Sequence, residues 1–391
     1  MKMDKSKIEE LLTRGVEEII DKKNLEAKLL DGKKLRVKLG IDPTSPNIHL
    51  GRSVPLLKLK DFQDLGHQIV FIIGDFTGVI GDTSDKDSER PMLSNETVAE
   101  NLKNYIKQAE KVIDIKKAEI HYNSEWLGKL NYHEIGRQAD VFSLNDFIKR
   151  ENIAKRMAEG KRVSLRELLY PLMQGYDSVA VKADVEVGGT DQKFNLLAGR
   201  HLQRDYGQEP QDILTNPLIE GLDGRKMSSS WGNTVNLSDS SNDMFGKVMT
   251  LADEFIIKYF TLVTRVDLEI VNEYSSALKD KINPRDIKIK LAREIVRMYH
   301  GEKSAEEAEN YFISTFSKKE MPKEIPEFKP SKYDLISILV ESKSVSSKSE
   351  ARRVLSQDGV KVNQQVVSDP DFQIKAGDIV QKGKIIFLKI I

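Results

Sequence analysis

Two short stretches carry side chains suited to handling an anion. The first, Asp42-Pro43-Thr44-Ser45-Pro46-Asn47-Ile48-His49-Leu50-Gly51-Arg52, follows an alternating run (Leu35, Val37, Leu39, Ile41) that reads as a strand. It precedes a segment from Gly51 to Leu65 that reads as a helix. A strand, turn and helix in that order aim the free N–H groups of a helix start at the carboxyl edge of a parallel sheet, where open α/β folds take ligands. His49 and Arg52 then stand as donors at a positive helix end, with Gly51 between them offering bare backbone to a flat ring. Phosphate is the expected guest. The second stretch, Lys226-Met227-Ser228-Ser229-Ser230, lies in a polar loop after Gly224 and adds a lysine and a run of hydroxyls. A Pro-rich turn before a helix is ordinary by itself; its pairing with the lysine loop carries the reading.

A third group of polar residues sits where apolar ones would be expected. Ser164-Leu165-Arg166-Glu167 is a capping box opening a helix that runs to about Val181. Tyr170, Gln174 and Asp177 fall on one stripe of it, among Leu168, Leu169, Leu172 and Met173, and such a stripe needs partners or solvent. Val185 to Gln192 then reads as a strand breaking at Gly188-Gly189 into Thr190, Asp191 and Gln192. Similarly, the apolar run Ile69 to Ile73, expected as a strand buried on both faces, ends in Gly74-Asp75 and the glycine-rich Phe76 to Asp82. Both deliver polar groups to the carboxyl ends of strands. The polar loop Thr83 to Pro91 contributes Lys86 and Arg90.

Around these, the periodicity predicts an amphipathic helix through Ile8, Leu11, Leu12, Val16, Ile19 and Ile20. A further helix starts at the cap Ser94 and carries Val98, Leu102, Ile106, Ala109 and Val112, and a strand lies near Ile120 to Tyr122. After Ser230 the strands stop: Met244 to Leu262, Val266 to Leu278, Pro284 to Tyr299 and Ser304 to Phe316 all have helical spacing. Ser317 to Lys332, with Pro322, Pro326 and Pro330 among charges, reads as a stiff linker. The last sixty residues read as compact, with helices near Asp334 to Glu341 and from the cap Ser347 to near Gly359, then short strands around Val360, Val366 and Ile385 to Leu388. The expectation is an α/β catalytic domain with a Rossmann-like parallel sheet over 1–232, an α-helical domain over 233–318, a linker over 319–332 and a small α+β domain over 333–391.

Composition excludes several chemistries. There are 61 Lys and Arg against 61 Asp and Glu, so any grip on nucleic acid must be local. The absence of cysteine removes disulfides, thiolate catalysis and cysteine zinc sites. No signal peptide or long apolar run is visible, which leads to the expectation of a cytoplasmic protein without membrane contact.

The two anion-handling stretches resemble the HIGH and KMSKS signatures of class I aminoacyl-tRNA synthetases, with Arg52 where the second histidine falls and Ser229 where the second lysine does. Along nearly its whole length the chain is similar to bacterial tyrosyl-tRNA synthetases: Gly40 to Thr44, Gly74 to Asp82, Tyr170 to Asp177, Gly188 to Gln192 and the Lys226 loop follow in that family's order. Ser349 to Arg353 and Gly359 to Asn363 resemble the RNA-binding fold of ribosomal protein S-four.

That resemblance implies activation of L-tyrosine by ATP, brought in with Mg2+ and with no tightly bound protein metal, followed by transfer to tRNA(Tyr). It implies catalytic roles for Thr44, His49, Arg52, Lys226, Lys86 and Arg90. A tyrosine site is implied at Asp42, Thr77, Asp82, Tyr170, Gln174, Asp177 and Gln192, with Asp177 accepting from the phenol. An ATP site is implied at Gly40, His49, Gly51, Arg52, Gly189, Asp191, Lys226, Ser229 and Ser230. Lys38 falls where many relatives carry a tyrosine that donates to the phenol. The basic face Lys348, Arg352 and Arg353 is implied to meet RNA phosphates, and a homodimer is expected. The related tryptophanyl enzymes share the signatures, but Asp177 in its setting and the C-terminal RNA-binding segment weigh against them; a non-catalytic RNA-binding descendant is the remaining alternative.

Overall fold

The run Ile69–Ile73 has no polar side to turn towards water, and it becomes the interior of a sheet in which all five side chains are fully buried. Each such burial contributes about 1.5–3 kcal/mol. The computed structural model describes residues 5–82, 92–317, 325–345, 347–383 and 386–391, and the chain divides into two compact units, Met1–Ala305 and Glu306–Ile391. Among the described residues the first holds six strands, β1 (Glu18–Ile20), β2 (Arg36–Ile41), β3 (Gln68–Ile73), β4 (Glu119–Tyr122), β5 (Val185–Gly189) and β6 (Asp212–Asn216), in the order β1-β6-β5-β2-β3-β4. All neighbours are parallel except β1, which pairs antiparallel with β6. From β2 the chain steps outward through β3 to β4, and from β5 it steps to β6 in the opposite direction. The order therefore reverses between β2 and β5, and a crevice opens there at the carboxyl ends of the strands.

Three helices matter most to that crevice: α1 (Leu50–Asp64), α2 (Leu165–Val181) and α3 (Lys193–Asp205). The capping box of α2 is complete, with Ser164 accepting from the backbone and Glu167 bonding back to Ser164 N. Buried Glu167 is also held by Arg156 at 2.6 and 3.0 Å. Gly175 lets α2 and α3 touch backbone to backbone, since a Cβ there would lie 3.0 Å from Ala198 C and Gly199 N. Among the described residues no helix is long and apolar enough to cross a membrane.

Several elements differ from expectation. The amphipathic N-terminal pattern is split: Lys5–Thr13 is helical, Gly15 at φ +63° turns the chain, and Ile19 and Ile20 lie on strand β1. The helix capped by Ser94 ends at Leu102 and restarts at Tyr105, the chain resetting at Asn104. The segment Met244 to Leu262 is two helices, Ser241–Met249 and Ile256–Val263, where Thr250 Oγ1 donates to Lys247 O and competes with continuation of the turn. Strand β6 had not been expected; Asp212 and Asn216 at its ends are fully buried and partnered by Asn24, Lys28 and Gly15 O.

The second unit builds a sheet in the order β7-β11-β10-β8-β9 from β7 (Glu327–Phe328), β8 (Val360–Val362), β9 (Gln365–Val366), β10 (Ile379–Lys382) and β11 (Ile386–Ile390). Strand β7 falls inside the expected linker and pairs parallel with β11. Asn363 and Gln364, both at positive φ, close the β8–β9 hairpin. Helices Leu335–Glu341 and Lys348–Ser356 pack Leu335, Leu339, Ala351 and Leu355 into a core with Val360, Val380 and Ile390.

Candidate active site

A cavity of about 250 Å3 lies where β2 and β5 part. It brings together Gly40, Asp42, Thr44, His49, Gly51 and Arg52 from β2, its turn and α1, Thr77 and Asp82 from beyond β3, and Tyr170, Gln174 and Asp177 from α2. Gly189, Asp191 and Gln192 follow β5, and Lys226, Ser229 and Ser230 come from the second loop. Lys86 and Arg90 lie outside the described residues.

One wall is a network of buried carboxylates. Asp42 accepts from Thr77 Oγ1 at 2.7 Å through Oδ1 and from the Tyr170 hydroxyl at 2.8 Å through Oδ2. Gly74 makes this contact possible, because a Cβ there would stand 2.0 Å from Asp42 Oδ1 and 2.3 Å from Thr77 Oγ1. Burial pushes the Asp42 carboxyl up to about 6 against the pull of those two hydrogen bonds. Asp177 accepts from Trp126 Nε1 at 2.8 Å and from Asn123 Nδ2 at 3.3 Å, one oxygen each. Burial raises it to about 7, opposed by Lys38, Trp126 and Asn123. With a single protein donor on each oxygen, Asp177 keeps lone pairs able to accept a further hydroxyl. Gln192 Nε2 donates to Asp82 Oδ2 at 2.7 Å, while Gln192 Oε1 accepts from Asn195.

The opposite wall is cationic. Arg52 donates to Asp42 O at 3.1 Å, to Thr44 Oγ1 at 2.8 Å and to the buried hydroxyl of Tyr105, so the turn and the helix start are tied together by one guanidinium. His49 is the N-cap of α1, only 6% exposed; burial first, then Arg52 and Lys226, lower its imidazole to about 3. It is therefore a neutral ring near pH 7, and among the described residues its Nδ1 has no hydrogen-bond partner. The bare backbone of Gly51 faces this ring, with an added Cβ falling 3.0 Å from it. Lys226 pairs with Asp191 at 2.9 Å, Met227 Sδ accepts from Gly51 N at 3.2 Å, and the Ser45 and Ser229 hydroxyls are 3.2 Å apart. The two stretches singled out in the sequence are thus in direct contact.

Lys38, at the position where many relatives carry a tyrosine, points away from the cavity. It does not line the cavity; it is fully buried and bonded to Glu186 at 2.7 Å. Asn123, Trp126, Tyr105 and Glu186 had not been singled out as site residues. Asn123 immediately follows β4 at its carboxyl end, so the rule that found Thr77 and Gln192 would have found it once the strand order was known. Lys348, Arg352 and Arg353 are exposed on one helix of the second unit.

With this geometry in place, comparison with known proteins is specific. The family described as tRNA synthetases class I (W and Y) matches residues 30–317, and the S4 domain matches 335–380. The chain is 47% identical to the tyrosine–tRNA ligase of Carboxydothermus hydrogenoformans, over 98% of this chain and 97% of that one. It is 45% identical to that of Thermotoga maritima, over 97% and 96%. Among solved structures, the tyrosyl-tRNA synthetase of Archaeoglobus fulgidus complexed with L-tyrosine shares the fold with TM-score 0.62 at 24% identity, covering 78% of this chain and 99% of that one. The C-terminally truncated mitochondrial enzyme of Aspergillus nidulans does so with TM-score 0.68 at 21%, covering 80% and 95%. A parallel sheet with its crevice at the reversal of strand order, the two signature loops in contact there and near-full-length identity to curated relatives lead to one conclusion: this chain belongs to the tyrosine–tRNA ligases of the class I tRNA synthetase family that carry an S4 domain.

Proposed function

We propose that tyrosine occupies the carboxylate wall and ATP the cationic wall of this one cavity. The observation that carries this reading is Asp177: a buried carboxylate with two fixed donors and remaining acceptor capacity suits a phenol hydroxyl and leaves phenylalanine with nothing to offer it. Discrimination between these two amino acids is itself the standard illustration of that rule in this enzyme family. Tyr170, Gln174, Asp82 and Gln192 surround the substrate ammonium. Tyr170 donates its proton to Asp42, so its oxygen is oriented to accept. ATP lies along Gly40, His49, Gly51 and Arg52 with Gly189, Asp191, Ser229 and Ser230, its Mg2+ entering as part of the nucleotide substrate.

The tyrosine carboxylate oxygen attacks the α-phosphorus of ATP, the bond to the β-phosphate oxygen breaks, and pyrophosphate leaves with its electron pair. A ribose hydroxyl at the 3′ end of tRNA(Tyr) then attacks the acyl carbonyl and AMP departs. Neither step requires a protein nucleophile. Acceleration comes from alignment and from donors facing charge as it develops: neutral His49 donates without competing for a proton, Thr44 orients Arg52, and Arg52 and Lys226 stabilise the phosphates. Lys86 and Arg90 complete the cationic set.

For RNA, residues 233–318 meet the anticodon and the Lys348, Arg352 and Arg353 face meets phosphates. A homodimer is supported by apolar side chains exposed on Tyr132–Asp140, Leu144–Ile148, Glu151–Ala158 and the start of α2, where Tyr132 is 90% and Leu165 78% exposed. The enzyme acts in the cytoplasm. Pyrophosphate exchange into ATP tests the central reading: dependence on tyrosine without tRNA is expected, whereas dependence on tryptophan, or no exchange, overturns it.

A further inference from the structure

The ladder between β2 and β5 has two rungs, Val37↔Val185 and Lys38↔Glu186, and beyond the second the strands part to form the cavity. That last rung is an ion pair taken wholly out of water: Lys38 and Glu186 are 0% and 1% exposed and 2.7 Å apart. Its bonds run into α2. Lys38 Nζ donates to Gln174 O at 3.0 Å and to Ser178 Oγ at 2.9 Å, and Ser178 Oγ donates to Glu186 Oε2 at 3.0 Å. Gln211 donates to the same oxygen. Gln174 Nε2 donates to Glu186 Oε1 at 3.4 Å, and Gln174 lines the cavity. Gly199 keeps the space for this network, since a Cβ there would lie 2.6 Å from Gln211 Nε2 and 2.9 Å from Ser178 Oγ.

A buried ion pair is a poor means of stabilising a fold, because desolvating two charges offsets most of their attraction. What it does supply is direction. A glutamine amide has a donor end and an acceptor end of nearly the same shape, and only its partners decide which end faces a ligand. Glu186, paired with Lys38 and accepting from Ser178 and Gln211, offers Gln174 an acceptor, which fixes Nε2 of Gln174 towards the sheet.

We propose that Lys38 and Glu186 are positioning residues for the amino-acid pocket: Lys38 ties the Gln174–Ser178 turn of α2 to the sheet, and Glu186 holds the Gln174 amide with Oε1 facing the cavity as acceptor for the substrate ammonium. This rests on the tyrosine reading above. The test is Lys38→Met/Glu186→Leu, which removes both charges together and leaves neither stranded. Its unfolding midpoint is measured alongside to show that the variant is folded, because Ser178 and Gln211 lose an acceptor. In pyrophosphate exchange the KM for tyrosine should rise about tenfold or more, the effect of one hydrogen bond to a charged group, with kcat within about threefold and the KM for ATP unchanged. Competitive inhibition by 3-(4-hydroxyphenyl)propanoate, which keeps the phenol and carboxylate but lacks the ammonium, should be unaltered.

Equal weakening of tyrosine and of the propanoate would mean that the pair only maintains the pocket's shape, and no weakening of either would mean that it has no part in binding; both overturn the proposal. Where the double variant does not fold, Lys38→Met is put through the same two assays, and the same outcomes decide. Absence of tyrosine-dependent exchange in the unaltered enzyme would instead sink the functional reading itself.

Discussion

Trp126 and Asp177 meet through an indole N–H donated to Oδ1 at 2.8 Å, in a wall built from α2 and the segment after β4. With Asn123 on the other oxygen, the carboxylate is held from both sides. Both donors belong to the protein, so the acceptor is oriented by the fold itself.

Removing that acceptor should act on tyrosine alone. Asp177→Ala is expected to reduce the ratio of tyrosine to phenylalanine activation by roughly 10- to 100-fold, the range of a hydrogen bond to a charged group. Steady-state exchange with each amino acid gives the ratio. An unchanged value would take Asp177 out of contact with the phenol.

The same carboxylate should lower the stability of the empty enzyme at alkaline pH. Burial raises Asp177 from 3.8 to about 7, so between those values the folded chain holds a proton that the unfolded chain has released. Stability from this group is therefore full below about pH 4 and declines as pH rises to about 7, by at most about 4 kcal/mol. Asp177→Asn does not titrate and carries no such pH dependence, although its amide cannot accept from both Trp126 and Asn123. Without ligand, the variant should melt a few degrees above the unaltered protein at pH 8 and lose that advantage at pH 5. Thermal unfolding at the two pH values measures it, and an equal difference at both would show that the burial of charge is not the cause.

Features legible in the sequence were the local ones: the alternation through Leu35 to Ile41, the unbroken run Ile69–Ile73, the capping box at Ser164 and the glycines that let the chain approach itself. Each is decided within a few residues of where it is written. Strand β6 was hidden because its buried ends, Asp212 and Asn216, are polar and are satisfied by partners near the N-terminus. Lys38 breaks the apolar pattern of a central strand, and its partner on β5 becomes a neighbour only once the strand order is known. Trp126 and Tyr105 offered no signal; each matters through one bond to a residue far away in sequence.

Activation and RNA charging should separate along the chain. Every residue lining the cavity precedes Trp231, whereas Lys348, Arg352 and Arg353 lie in the second unit. A chain ending at residue 317 is expected to retain tyrosine-dependent exchange within a few-fold and to lose most tRNA charging. Parallel loss of both activities in a protein whose circular dichroism shows it folded would count against the division.

The final prediction concerns the lysine loop, where Lys226 is the lysine and Ser229 occupies the place of a second one. Lys226 sits 2.9 Å from Asp191 and faces the cavity, while Ser229 reaches the Ser45 hydroxyl across the two signature loops. An ammonium meeting developing negative charge makes a charge-assisted bond, whereas a hydroxyl brings one neutral donor. Loss of one preorganised donor of the first kind costs about 3–4 kcal/mol in the transition state. Lys226→Ala should thus slow adenylate formation roughly 10²- to 10³-fold with little change in tyrosine affinity, and Ser229→Ala roughly tenfold or less. Ser229→Lys should be tolerated, as related loops carry lysine there. Pre-steady-state adenylate formation by the three variants distinguishes them. A Ser229→Ala defect as deep as that of Lys226→Ala would move the charge-bearing role away from Lys226, because a neutral hydroxyl cannot by itself account for so large a loss.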